Sequence, residues 1–189
     1  MIQLSQRLLA LLLILSVAFY TGCEDDDPEP VNEEEVITGV TFTMTPPSGD
    51  AFTYVFSDSD GDGPNAPVEN ITGSLQPNTT YQTSITFQNA SDPNDIEDIT
   101  VEIREEDEEH QIFYIAEDGT NLEFSYNDMD GDGNPIGLSA SVTTGASGSG
   151  EVTIILRHEP DKEGDDVSDG DITNAGGETD IEIDFDVSY

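Results

Sequence analysis

Ile181-Glu-Ile-Asp-Phe-Asp-Val-Ser188 alternates without a break: Ile181, Ile183, Phe185 and Val187 take one side, Glu182, Asp184, Asp186 and Ser188 the other. Successive side chains of an extended backbone point to opposite faces, so this stretch predicts a strand with one apolar and one acidic face. The apolar face must be covered by another. Similar alternation recurs over 36–45, 51–57, 81–88, 111–116, 121–127, 138–144 and 151–157. Short strands broken by Gly, Pro, Asn and Asp predict a mostly β chain folded as an antiparallel β-sandwich.

One segment departs from this pattern. Ser91-Asp92-Pro93 reads as a helix cap followed by Pro in the first turn, and Ile96, Ile99 and Ile103 follow at helical spacing. A short helix over about 93–105 is expected, against a rival strand with Ile99, Val101 and Ile103 on one face. There is also an internal echo. Tyr54-Val-Phe-Ser-Asp-Ser-Asp-Gly-Asp-Gly63 matches Phe124-Ser-Tyr-Asn-Asp-Met-Asp-Gly-Asp-Gly133, each a strand running into an acidic Gly loop. It suggests a duplicated half, forming either two sheets of one sandwich or two small lobes.

The acidic loops are candidate calcium sites. Asp58, Asp60 and Asp62 stand at the first, third and fifth positions of an EF-hand-like loop, Gly63 at the sixth and Glu69 at the twelfth. Alternate carboxylates converge when a Gly permits the turn, and hard oxygen ligands suit Ca²⁺. Asp128, Asp130, Asp132 and Gly133 repeat the spacing, with Ser139 where the Glu would be. Pro64 and Pro67 and the strand-like flanks favour a shorter calcium loop between strands, and Asp and Gly are also ordinary turn residues.

Charge sets the wider bounds. All 42 Asp and Glu follow Cys23, where only Arg104, Arg157 and Lys162 oppose them. Such a surface repels phosphate backbones, so nucleic acid is excluded as a partner, and its self-repulsion favours a fold that takes up cations.

The two histidines are the candidate transition-metal ligands. His110 precedes one expected strand and His158 follows another. In an antiparallel sheet the start of one strand lies beside the end of its neighbour, so the rings can share an edge. A His pair with carboxylates suits zinc or another transition metal, with Glu109, Glu159 or Glu178 as further ligands. The long loop from Glu159 to Asp180 starts beside His158 and is expected to fold over that edge, bringing Glu178 and Asp180 near. Catalysis has little support. The chain has no Trp, no thiol beyond Cys23 and no nucleophile turn or phosphate loop, so no enzyme is expected.

Residues 1–22 read as a signal peptide: Arg7, then an apolar run from Leu8 to Phe19, too short to span a bilayer. Thr21-Gly22-Cys23 resembles a lipobox, which makes Cys23 the lipid attachment point and the bilayer a partner. Residues 23–35 then form an acidic linker, with 36–189 as the sandwich domain, and Glu24-Asp-Asp-Asp27 resembles a surface-export signal.

The lipobox, the two acidic loops, Leu156-Arg-His-Glu-Pro160 and Asp171-Ile-Thr-Asn-Ala-Gly-Gly-Glu-Thr-Asp-Ile181 together resemble small acidic lipoproteins of the Bacteroidota. Such proteins are often labelled type 1 periplasmic binding fold, which implies alternating helices and strands; the alternation along this chain is that of strands alone. The resemblance implies an outer-membrane, cell-surface lipoprotein that captures a metal or small ligand, accessory to an import receptor. The alternative is a structural or adhesive module that calcium rigidifies.

Overall fold

A computed structural model of the chain describes residues 35–60 and 65–189. The expected signal peptide, Cys23, the linker as far as residue 34, and Asp62 lie outside the described residues. Among the described residues no helix is long and apolar enough to cross a membrane.

The strands are β1 (Gly39–Thr45), β2 (Phe52–Ser57), β3 (Val68–Thr72), β4 (Thr80–Gln88), β5 (His110–Ala116), β6 (Leu122–Tyr126), β7 (Ser139–Thr144), β8 (Ser149–His158) and β9 (Glu178–Ser188), with helix α1 (Ile99–Glu105) between β4 and β5. They form two antiparallel sheets, ordered β3-β2-β1-β4-β7-β6 and β5-β8-β9. The expected sandwich is the observed fold. Ile183, Phe185 and Val187 of β9 are buried, while Glu182, Asp184 and Asp186 are exposed. Across the layers Phe185 stacks on Tyr54 at 4.6 Å between ring centroids, and Tyr114 on Phe124 at 4.9 Å. Each such pair contributes about 0.5–1.5 kcal/mol beyond its buried area.

Three expectations need correction. The helix begins later than the Ser-Asp-Pro motif implied. Asp98 caps α1 by accepting a hydrogen bond from Thr100 N, whereas Asp92 closes a local turn onto Asn94. Ile99 and Ile103 are buried, as i, i+4 helical spacing requires, and Ile96 and Val101 are exposed. The echoed segments form neither separate sheets nor lobes. The β2–β3 and β6–β7 hairpins lie at opposite edges of the same six-stranded sheet, and the following strands diverge, β4 staying in that sheet and β8 joining the other. Finally, β3 was not anticipated: all five of its residues are exposed, so no face of Val-Glu-Asn-Ile-Thr carries a burial pattern.

The long loop is packed rather than loose. Two short 3₁₀ turns, Val167–Asp169 and Ile172–Asn174, lay Val167, Ala175 and Ile172 over Phe113 and Ile155. Those two side chains face outward from the three-stranded sheet, so the loop builds a second, smaller core on its back.

Candidate metal centre

His110 and His158 are register partners at the end of the β5–β8 pair. Directly opposed residues point to the same side of a sheet. Both rings therefore continue the inner face begun by Ile112, Ile154 and Leu156, closing one end of the core. Their centroids are 4.6 Å apart, and the residues are 0% and 3% exposed.

Two carboxylates complete the cluster. Glu35, just before β1, places Oε1 2.9 Å from His110 Nε2 and Oε2 3.3 Å from His158 Nδ1. It is held there by the stretch that follows, where Thr38 N donates to Gln88 O and Thr38 Oγ1 accepts from Ala90 N. The sequence boundary at residue 36 therefore cuts off a residue that belongs to the domain. Asp180 places Oδ1 3.7 Å from His158 Nδ1. Simple alternation assigns Asp180 to the outer face with Glu182 and Asp184. However, Leu156 pairs with Ile181 and Arg157 with Thr179, leaving Asp180 as the extra residue of a β-bulge. A bulge re-aims a side chain, and the Asp180 side chain is 0% exposed.

One ligand atom from each of Glu35, His110, His158 and Asp180 lies within 4.8 Å of the others. Zn–N and Zn–O bonds of about 2.0–2.1 Å in a tetrahedron require ligand separations of roughly 3.3–3.4 Å. The contacts of 2.9 Å from Glu35 Oε1, 3.3 Å from Glu35 Oε2 and 3.7 Å from Asp180 Oδ1 lie around that value, with the two Glu35 oxygens each facing a different ring. His110 Nδ1 lies 3.1 Å from the carbonyl of Glu106, just past α1. With its proton on Nδ1, the ring donates to that carbonyl and leaves Nε2 as a ligand, the outer contact that orients metal-binding histidines.

Without an ion, protons hold the cluster together. Burial alone would lower the His110 pKa, but its bonds to Glu35 and to the Glu106 carbonyl, with the charges of Glu35 and Asp180, outweigh burial and raise it. Burial would raise Glu35, yet the bond and charge of His110 hold it down to about 2. Burial is otherwise incompletely compensated: Glu35 Oε2 and both ring nitrogens of His158 are buried without a hydrogen-bond partner.

The other expected ligands sit elsewhere. Glu109 and Glu159 approach the far side of His158, with Glu109 Oε2 3.8 Å from Nε2, so they stand apart from the Glu35 and Asp180 carboxylates that face Nδ1. Glu178 pairs with His158 in register but is exposed, and the bulge gives its expected place to Asp180. Glu159 adopts a left-handed conformation (φ 48°). Gly177 lies against it; a Cβ there would come within 2.3 Å of the His158 carbonyl oxygen, so only glycine lets the returning loop pass so close to the site.

The second acidic loop is closed on itself. Asp128 accepts from the Gly137 and Ser139 amides, and Asp130 Oδ1 from the Asp132 and Asn134 amides. Asp130 Oδ2 is 2.9 Å from the ammonium of Lys162, which the long loop delivers and buries. The carboxylates of Asp128 and Asp130 are therefore engaged by amides and a lysine, and Asp132 contributes its backbone amide from an exposed position, so the three expected ligands are not gathered around one point. In the first loop, Asp60 accepts from Asn65, and Glu69 lies on β3 opposite Phe56. Asp58 Oδ1 is buried with no hydrogen-bond partner.

No protein-family model matches the chain, and neither a curated protein nor a solved structure matches it. The site's chemistry is thus the guide to function.

Proposed function

We propose that this protein is a lipid-anchored, metal-binding module of the bacterial cell envelope, holding a transition-metal ion such as Zn²⁺ between Glu35, His110, His158 and Asp180. The observation that carries this reading is the buried imidazole of His158, whose nitrogens have no hydrogen-bond partner beside two carboxylates and a second ring. A buried polar group left without a partner costs about 1–3 kcal/mol, and an ion would remove that cost. Four protein ligands at a site with almost no exposed surface describe a closed, structural type of centre rather than an open catalytic one.

Metal and protons compete for the same groups, which sets the pH dependence. His110 is raised above its ordinary 6.5, so its pairing stabilises the metal-free fold fully below that value and is lost as pH rises through the elevated pKa. Glu35, lowered from 4.5 to about 2, contributes above 4.5 and is lost only as pH falls towards 2. The metal-free chain should therefore lose stability as pH rises above 6.5 and through the elevated His110 pKa, whereas the gain on adding zinc should grow over the same rise. Thermal melts of the full chain with chelator and with zinc check this; a zinc gain that does not rise with pH contradicts it.

The anchor rests on Cys23. In cells, Cys23→Ser should abolish labelling by a fatty-acid probe and move the protein from the membrane to the soluble fraction. Labelling that survives the substitution removes the lipoprotein reading.

A second reading, calcium as a rigidifying ion in a structural or adhesive module, is favoured at the first acidic loop by the unpartnered Asp58 Oδ1. An ion that binds only the folded state stabilises it by about 2.7 kcal/mol at a hundred times its Kd. Millimolar calcium should raise the melting temperature by several degrees. Asp58→Asn with Asp60→Asn should remove that gain, and Asp132→Asn should leave it. A melt indifferent to calcium reduces both loops to turns.

A further inference from the structure

His158 presents two nitrogens to two different sets of carboxylates. Nδ1 faces Glu35 and Asp180 within the buried cluster, while Nε2 faces Glu109 at 3.8 Å on the opposite side. One ligand atom each from Glu109, His158 and Glu159 lies within 4.8 Å of the others, as in the buried group. The surroundings of the two groups differ. Glu35 and Asp180 side chains are 5% and 0% exposed, but the Glu109 side chain is 55% exposed and Glu159 is also exposed. Glu159 N donates to Glu109 O at 2.7 Å, extending the β5–β8 ladder one step beyond the histidines and holding the two carboxylate residues side by side.

Exposed glutamates alone would be only a solvated surface. What distinguishes this pair is the ring between them: His158 is 3% exposed, and its Nε2 has no hydrogen-bond partner. The geometry points to a second, exchangeable transition-metal position at Glu109, Glu159 and His158 Nε2, bridged to the buried ion by the His158 ring. This rests on the proposed buried site. Filling the outer position on a ring already bound through Nδ1 forms a metal–Nε2 bond and breaks the Nε2–H bond; the proton leaves to water, and the ring becomes a bridging imidazolate. With three protein ligands, the outer ion keeps coordination sites for water and exchanges readily. The buried ion, enclosed by four, exchanges slowly.

The test uses the full chain purified in detergent, with millimolar calcium present to occupy the general acidic surface. Zn²⁺ stoichiometry by native mass spectrometry and calorimetry should be two for the parent and one for the Glu109→Gln, Glu159→Gln variant, whose changes are on the surface. Cu²⁺, which binds nitrogen and oxygen ligands more tightly, probes the bridge. Two coppers on one imidazolate are magnetically coupled, so the parent should give a much weaker paramagnetic signal per copper than the variant with one. A parent binding one zinc overturns the second position and leaves the buried site standing. Two zincs in both proteins place the second ion elsewhere, and two uncoupled coppers overturn the shared ring. A parent that binds no zinc overturns the buried site as well.

Discussion

His158→Ala should weaken zinc binding by the full chain at pH 7.5 by on the order of a hundredfold or more. Losing an outer partner of a metal ligand already costs about 10–100-fold, and His158 would itself be a ligand. His110→Ala should show a loss of the same order. Asp180→Asn and Glu35→Gln should weaken binding less, because an amide oxygen can still reach the ion but carries no charge. Competition with a chelator of known affinity measures all four. Histidine variants that hold zinc as tightly as the parent would make the cluster a buried charge network and nothing more. The melting temperature separates the cases: with chelator present, His158→Ala should show only the packing lost with the ring, and on adding zinc the parent should gain stability whereas the variant should not.

Lys162→Met should be strongly destabilising. Lys162 and Asp130 form a pair with side chains 5% and 1% exposed, so removing the ammonium strands a buried carboxylate. Breaking a buried pair from one side costs about 3–5 kcal/mol. At about 2–4 °C per kcal/mol for a domain of this size, the melting temperature should fall by roughly 6–20 °C. Adding Asp130→Asn should recover a large part of the loss, because the stranded charge goes with it. Burial would raise the Asp130 pKa, but the bond to Lys162 and the Asn134 and Asp132 amides outweigh it and lower it. The pair's contribution should therefore persist at neutral pH and fade only under acid. A single variant that melts with the parent, or a double variant no better than the single, would show that the pair contributes little.

What could be read from the sequence followed from periodicity. Strict alternation located β9 and the other buried strands. Placing strand ends placed His110 and His158, because an antiparallel neighbour brings a start beside an end. Asp180 was visible only as a residue brought near by the loop, since Thr179-Asp180-Ile181 continues the alternation and nothing local marks a bulge. Glu35 was hidden as the last of three consecutive glutamates in an acidic stretch that resembles a tether. Lys162 did carry a hint. It is one of three cations after Cys23, in a loop otherwise rich in carboxylates, and a lone ammonium there invites an internal counter-charge role. The two acidic loops looked equivalent because their spacing is the same. What separates them is which distant residue reaches them, and spacing does not encode that.

The position of Glu35 has a mechanical consequence. Were Cys23 the proposed lipid anchor, the chain would be pulled from its N-terminal side, and tension would reach the described fold at Glu35, ahead of β1. Glu35 meets His110 across 75 residues of sequence and lies in one cluster with Asp180, near the other end of the chain. An ion gripping all four would clasp the first described residue to the final strand, so force would have to open that clasp before it could peel β1 from β2 and β4. Metal availability would then set how hard the module can be dragged before it unravels.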